Sequence, residues 1–506
     1  MERPDILIFM SDQHAPQFMS GAGMDIDTPN LDKIKKQGTA FEGAYTACPL
    51  CVPARMAMLS GMRASDTGIF TNMDQLPNTI PTFLNCLVAA GYETVLAGRM
   101  HFIGQDQRHG FTRRIADDFT NSGYLRPERM KEDFGIHLQT MGYKWCTDVV
   151  GGGESPVVGY DEMVVNTVEN YLSEPHEKPQ CILVGTYGPH FPYVAPKDLF
   201  LKYFSDNKII ENLSDGEEIQ NPMLQQLQKK VPTELKKACC AAYKGLVEHT
   251  DSLVGRVLEK FKEFTVGKGS KKIFVYLSDH GDTVGDHGIF GKKTFYEKSA
   301  KIPLIFWGDD ICKGCSVASP VSILDLGPTL CEAAGISVPE RNRGKSLFQV
   351  LKGGEEDTER VVLSESMDKD PMGKWTYGAM LRSKDYKFIS YHGYEEYDQL
   401  FDMNKNASER ENLASACPEI CAKFRRLLKE ETNPGEAEIL QTEHEENAAV
   451  FKLVESQTEI PDIERFRGYS GKMKEYPEIC VAKLCSEPGK EQISRFTGFP
   501  KGGSGK

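Results

Sequence analysis

The chain has 506 residues, 40% of them hydrophobic and 26% charged, with a formal net charge of −13. That balance describes a soluble globular protein with room for about two to four domains, or one large α/β domain with additions. It argues against a nucleic-acid or anionic-membrane binder, because both need a basic footprint, and no apolar run reaches the roughly 18 residues of a membrane span.

The N-terminus, MERPDILIFMSD, enters an apolar strand almost at once. It lacks the longer apolar core and small-residue cleavage site of a secretion signal, so a cytoplasmic location is expected. Fourteen cysteines at irregular spacings then suit reduced thiols better than a disulfide framework. The first strand, 5–10, ends in Ser11-Asp12-Gln13-His14. Next comes CPLCVPARMAMLSG, residues 48–61, where Pro53 reads as the first helical residue and Cys51 or Val52 as the cap region. Cys51 would then face the positive end of a helix, with Arg55 one turn away. On its own such a thiol is more often structural.

A helix is expected over about 79–90, and the apolar run ETVLA leads to Arg99 and His101 in LAGRMHFIGQDQRHGF. A helix over about 160–172 precedes the strand 181–186, which is followed by Tyr187-Gly188-Pro189-His190. A long helix over about 234–263 leads to the strand 272–277 and to Ser278-Asp279-His280-Gly281-Asp282. Lys292 follows in GIFGKKTFYEKSAKIPLIF, with a strand at 302–306. CKGC at 312–315 reads as a surface loop, since no second pair or well-spaced histidine completes a metal or redox site. A further buried-strand run, VVLSE, occupies 361–365. Strands alternating with helices indicate an α/β domain, residues 1–370, with a mostly parallel sheet covered on both faces. YGAMLRSKDYKFISYHGYEEYDQLFD then alternates polar and apolar residues, and a charged helix near 415–431 follows. This predicts a smaller α+β subdomain with an antiparallel sheet at 371–432. Residues 433–506 are polar and weakly periodic, an expected extension on the main body or on a second subunit of a homo-oligomer, ending in a flexible KGGSGK.

In open parallel sheets, ligands sit beyond the carboxyl ends of the strands. Asp12, Asp279 and His280 could there supply a hard divalent cation with oxygen and nitrogen ligands. Any one of them alone is better read as a turn or helix cap. Arg99, His101, His190 and Lys292 converging on that rim would suit a tetrahedral oxyanion such as sulfate or phosphate.

Cys51-Val52-Pro53-Ala54-Arg55 with Leu59-Ser60-Gly61 resembles the signature of the type I sulfatases, which have the alkaline phosphatase superfamily fold. The likeness extends through Ser-Asp-Gln, GRMHF, PHFPY, SDHGD and GKKTFYEKSAKIPLI to YKFISYHGYEEYDQLFDMNKNASERENLA, covering roughly 4–430. The resemblance implies that Cys51 is oxidised to formylglycine by a formylglycine-generating or anaerobic sulfatase-maturating enzyme. Its hydrate would attack sulfur with one hydroxyl, and the second would collapse to the aldehyde and expel sulfate. It further implies a divalent metal, usually Ca²⁺ with Mn²⁺ or Mg²⁺ in some relatives, on Asp12, Asp279, His280 and the modified Cys51. Arg55 would orient the diol and His101 would act as the base. Lys292 and His190 would grip the sulfuryl oxygens.

The pattern departs from many sulfatases in its single Asp12 after the first strand, with His280 where others have Asn. In this it resembles the choline sulfatase and phosphonate monoester hydrolase branch, and whether Gln13 adds a ligand is left open. Arg99 stands where the family usually has Lys, an exchange that is not conservative, and Ala54 replaces the more usual Ser. Cys48 is expected to be structural. His14, His109, Asp282 and His287 lie close to the motifs and are divided evenly between pocket and packing roles. The leading expectation is a hydrolase of a sulfate monoester of a carbohydrate or small alcohol, choline sulfate included, with specificity in loops within 102–160 and 187–235. The alternatives are a phosphonate monoester or phosphodiester hydrolase with the same nucleophile, a non-catalytic binding protein of the same fold, and a reactive-thiol protein built on Cys51 and CKGC.

Overall fold

Asp5–Asp12 (β1) is buried along its whole length, which requires a strand covered on both faces. Its alternate residues divide accordingly. Ile6, Ile8 and Met10 enter one core with residues of the helices Cys51–Ser60, Phe83–Ala89 and Leu326–Ala333. Leu7 and Phe9 enter another with the helices Pro29–Gln37, Pro156–Tyr171 and Thr233–Lys268. The computed structural model describes residues 3–118, 120, 146–206, 219–457 and 479–482. Residues 121–145 and 207–218, within the expected specificity loops, lie outside the described residues, as does KGGSGK.

The large sheet contains β1, β2 (Thr39–Phe41), β4 (Glu93–Gly98), β5 (Arg113–Ala116), β7 (Gln180–Pro189), β9 (Lys272–Ser278), β10 (Leu304–Gly308) and β11 (Cys315–Val317). Their order is β11-β2-β10-β9-β1-β7-β4-β5. All neighbours are parallel except β10, which runs antiparallel to both β9 and β2. The expected α/β architecture is therefore present. β3 (Ala44–Tyr45) pairs with β12 (Val321–Ser322), and a small sheet joins β6 (Val150–Gly152), β8 (Tyr193–Ala195) and β17 (Ile479–Ala482).

A separate antiparallel sheet holds β13 (Val362–Lys369), β14 (Trp375–Arg382), β15 (Tyr386–Tyr391) and β16 (Gln399–Asp402). The run VVLSE, grouped by its apolarity with the strands of the main sheet, belongs here instead. Apolar content alone does not say which sheet a strand joins. The helix Pro418–Glu431 covers this sheet, with Phe424 stacked on Phe388 at 5.7 Å.

Two features were not anticipated from the sequence. Cys312 and Cys315 are paired as a disulfide, so the cysteines are not all reduced thiols; a turn with Gly314 at φ 68° brings the two together. The weakly periodic stretch after residue 433 contains a long helix, Pro434–Gln457, against β14. Its buried positions are Ala437, Glu438 and Gln441, so polar side chains make the dock and no apolar stripe announces it. Glu438 accepts from the Tyr377 N–H at 3.1 Å, and Glu445 from Trp375 Nε1 at 2.9 Å. No helix among the described residues is long and apolar enough to cross a membrane.

The second sheet is tied to the catalytic body by a buried ion cluster. Lys387, fully buried, donates to Glu297 at 3.0 Å and lies 2.8 Å from Glu409. Tyr45 also donates to Glu297, at 2.9 Å. Lys387→Ala would leave buried Glu409 without its cation and Glu297 with only the longer Lys301 contact at 3.8 Å. A loss of about 3–5 kcal/mol is expected, read as a lower urea midpoint.

Candidate active site

Four neighbouring parallel strands, β9-β1-β7-β4, deliver their carboxyl ends to one place. β1 supplies Asp12 beside a register shift, β9 leads into Asp279 and His280, β4 into Arg99 and His101, and β7 into His190. The helix Cys51–Ser60 aims its first turn at the same point. It begins two residues before the predicted start: Leu50 is the cap, Cys51 the first helical residue, and Pro53 lies within the first turn. Backbone N–H groups there have no intrahelical acceptor, so proline costs nothing at that position.

All nine residues expected at the site are brought together. Cys51 is 1% exposed. Lys292 Nζ donates to its Sγ at 2.9 Å, and His280 Nε2 and Asp12 Oδ1 lie 3.2 and 3.8 Å away. His101 and His190 also lie close enough to influence its ionisation. Arg55 donates from Nε to Asp279 at 2.8 Å, from Nη2 to Asp12 at 3.1 Å and from Nη1 to the Arg99 carbonyl at 2.9 Å. Arg99 Nε donates to Asp12 at 2.6 Å while its guanidinium lies 4.2 Å from the centre of the Tyr187 ring. Its Nη1 is buried with no hydrogen-bond partner.

The charges set the ionisation. Burial and Cys51 would raise Asp12, but the Arg99 and Lys292 cations hold its carboxyl below the usual carboxylate range. Burial would likewise raise the Cys51 thiol, yet Lys292 and His280 pull it well down. Burial together with Lys292 pushes His190 down to about 4, so this ring is neutral near pH 7. Its Nδ1 is 2.5 Å from the Phe191 carbonyl, which can only accept. The lone pair is therefore on Nε2, where Lys292 donates at 2.9 Å. By the same reasoning His101, whose Nδ1 accepts from Arg99 Nη2 at 3.0 Å, keeps its proton on Nε2. That makes it a donor toward residue 51 at rest, and a base only in the tautomer that breaks the Arg99 contact.

The donor set fits a divalent cation. One ligand atom from each of Asp12, Cys51, Asp279 and His280 lies within 4.8 Å of the others. His280 Nδ1 is 3.0 Å from the Gly281 carbonyl, leaving the Nε2 lone pair facing the cluster. Gln13 Oε1 is buried without a hydrogen-bond partner, and Gln13 itself has φ 69°. A buried, unmet side-chain carbonyl next to Asp12 is a donor type that a hard divalent cation accepts.

The neighbouring residues sort by contact. Asp282 accepts from Gln13 Nε2 at 2.6 Å, from Tyr193 OH at 2.8 Å and from the Gly291 N–H at 2.9 Å. It thus ties the Asp12 turn to the loop bearing Lys292. His14 bonds Tyr276 OH at 2.6 Å beneath the rim. His109 packs on Phe102 beside Asp106. His287 stacks on Tyr296 at 3.9 Å and meets Arg410. Asp118 was not anticipated: it accepts the N–H groups of Met100 and His101 at 3.1 and 2.8 Å, holding His101 at φ 58°. No local pattern marks it, because its partners lie 17 and 18 residues away. Asp282→Ala is expected to lower activity about 10–100-fold, as lost support of metal ligands does, measured as kcat/KM.

A family model described as Sulfatase matches residues 4–336. The chain belongs to the sulfatase family. A second model, the C-terminal part of N-sulphoglucosamine sulphohydrolase, matches residues 285–433 of this sulfatase. The choline-sulfatase of Rhizobium meliloti is 29% identical over 435 residues, covering 81% of this chain and 82% of that protein. An arylsulfatase of Clostridium perfringens is 28% identical, covering 82% and 91%. Among solved structures, the phosphonate monoester hydrolase of Agrobacterium radiobacter shares the fold, with a TM-score of 0.68, 19% identity and coverage of 84% and 94%. The sulfatase is thus an enzyme of sulfate-ester hydrolysis.

Proposed function

We propose that this sulfatase cleaves a sulfate monoester of a carbohydrate or small alcohol, using formylglycine made from Cys51 by a maturation enzyme. One observation carries the reading: the Cys51 sulfur sits among Lys292, His280 and Asp12, at 2.9, 3.2 and 3.8 Å. A divalent cation, with Ca²⁺ the leading candidate, would be held by Asp12, Asp279, His280 and residue 51, and supplies Lewis-acid polarisation and a lowered hydroxyl pKa.

The chain's own residues divide the remaining work. Arg55 fixes both carboxylates and offsets their charge. Arg99, whose Nη1 has no hydrogen-bond partner, and Lys292 present cations to sulfuryl oxygens. The Lys292–His190 pair holds a proton within reach of the leaving alcohol oxygen, and His101 holds one toward residue 51. The test is mass spectrometry of the peptide containing Cys51 after co-expression with a maturation enzyme. A loss of about 18 Da is expected from replacing CH₂SH by CHO. Matured protein should hydrolyse an aryl sulfate faster than an aryl phosphonate. Chelation should stop it, whereas inhibition by iodoacetamide alone would favour a reactive thiol.

A further inference from the structure

Asp161, on the helix Pro156–Tyr171, is 1% exposed and forms no ion pair among the described residues. Both of its oxygens accept main-chain N–H groups instead, Oδ1 from Tyr187 at 2.6 Å and Oδ2 from Gly188 at 2.7 Å. The approach is close at Gly188, where a Cβ would stand 2.9 Å from Asp161 Oδ2 and 3.1 Å from Thr250 Oγ1. Burial pushes the Asp161 carboxyl up to about 7, against the pull of the two N–H groups and of Arg99. A carboxylate kept in such a place, with charge-assisted bonds to backbone alone, serves to hold that backbone.

The segment it holds lies where β7 leaves its ladder. Pairing with β4 ends at Gly98 and Gly185, and the register with β1 steps from Met10 opposite Gly185 to Asp12 opposite Pro189. β7 thus advances four residues while β1 advances two. Bulges of this kind re-aim side chains and are common beside active sites. Asp161 fixes the path taken at Tyr187 and Gly188. The Tyr187 ring then lies 4.2 Å from the Arg99 guanidinium and, edge-on, 4.8 Å from the His190 ring. The Tyr187 carbonyl also accepts the His190 N–H at 3.2 Å. Arg99 in turn bonds Asp12 and His101, and His190 faces Lys292 at 2.9 Å. One tyrosine therefore touches two of the groups that serve the sulfuryl and leaving oxygens.

We infer that Asp161 is a positioning residue for the hydrolysis: through the Tyr187–Gly188 backbone it seats the Tyr187 ring, which sets where Arg99 and His190 stand beside residue 51. The inference rests on the roles proposed above for Arg99 and His190. Asp161 acts through Tyr187, since its own bonds go to the backbone of β7.

The test compares matured wild type, Asp161→Asn, Tyr187→Leu and the double variant on p-nitrophenyl sulfate and on phenyl sulfate, whose leaving phenolate is the more basic. Asparagine turns an NH₂ toward one of the two N–H groups and so releases it. Asp161→Asn should lose about tenfold in kcat/KM on p-nitrophenyl sulfate and about a hundredfold on phenyl sulfate, which depends more on a proton from the Lys292–His190 pair. A variant that merely folds less well scales both substrates alike. The double variant should lose no more than about twofold beyond the worse single variant, because the two residues act in series. Equal losses on the two substrates, or losses that multiply in the double variant, overturn the inference. A crystal structure of Asp161→Asn with unmodified Cys51 needs no turnover. Displacement of the Tyr187 ring from Arg99 by about 1 Å, a shift that can cost about 10²-fold, supports the inference. Tyr187 and His190 in their wild-type places overturn it. If enzyme with formylglycine at residue 51 cleaves neither sulfate, the sulfatase reading fails, and that structure still decides what Asp161 holds.

Discussion

Cys51→Ala is expected to abolish turnover of an aryl sulfate, a loss on the order of 10⁵–10⁶, as for removal of a covalent nucleophile. The loss lies in the chemistry and not in the fold, because alanine is a good helix former and Cys51 opens a helix whose other nine residues are unaffected. Cys51→Ser, expressed without a maturation enzyme, separates two ideas. A serine hydroxyl can accept sulfate from the substrate but has no second hydroxyl to expel it. One slow round should leave the protein about 80 Da heavier, and multiple turnovers should not follow. Steady turnover by the serine variant would show that a single hydroxyl suffices and that the aldehyde is not needed.

Arg55→Ala should combine two losses. Arg55 is completely buried and bonds Asp279 and Asp12 at 2.8 and 3.1 Å. Its pKa shift reflects burial opposed by those two carboxylates, which together raise it. Removing it leaves two buried carboxylates facing each other, partly compensated at Asp12 by Arg99 at 2.6 Å. The metal-free protein should lose about 3–5 kcal/mol, seen in urea unfolding. Activity should fall about 10²–10³-fold, as when a preorganised donor is deleted. Saturating Ca²⁺ should recover part of the stability, since a cation between the carboxylates replaces the missing charge. It should not recover the rate. Equal stability with and without Ca²⁺ would mean that the four-residue cluster holds no metal.

The chain order of strands and helices was legible because β1, β7 and β9 are unbroken apolar runs and the helices between them are long. The site was legible because the chemistry sits immediately after those runs, at Asp12, Asp279, His280, Arg99 and His101. What escaped was non-local. Asp118 and Asp282 look like any polar loop residues until folding brings backbone N–H groups to them. The helix Pro434–Gln457 docks through Ala437, Glu438 and Gln441, and so shows no apolar period.

Local spacing marked the strand ends and a helix beginning near Cys51 and, joined to the family resemblance, the candidate site residues beside them. These depend on backbone periodicity and on side chains a few positions apart. Tertiary structure decided that Lys292 turns toward Cys51 while Lys293 turns toward Asp368. Those contacts join segments 75 to 241 residues apart. Only the order of strands in the two sheets, and the way one sheet packs against the other body, brings them within bonding distance.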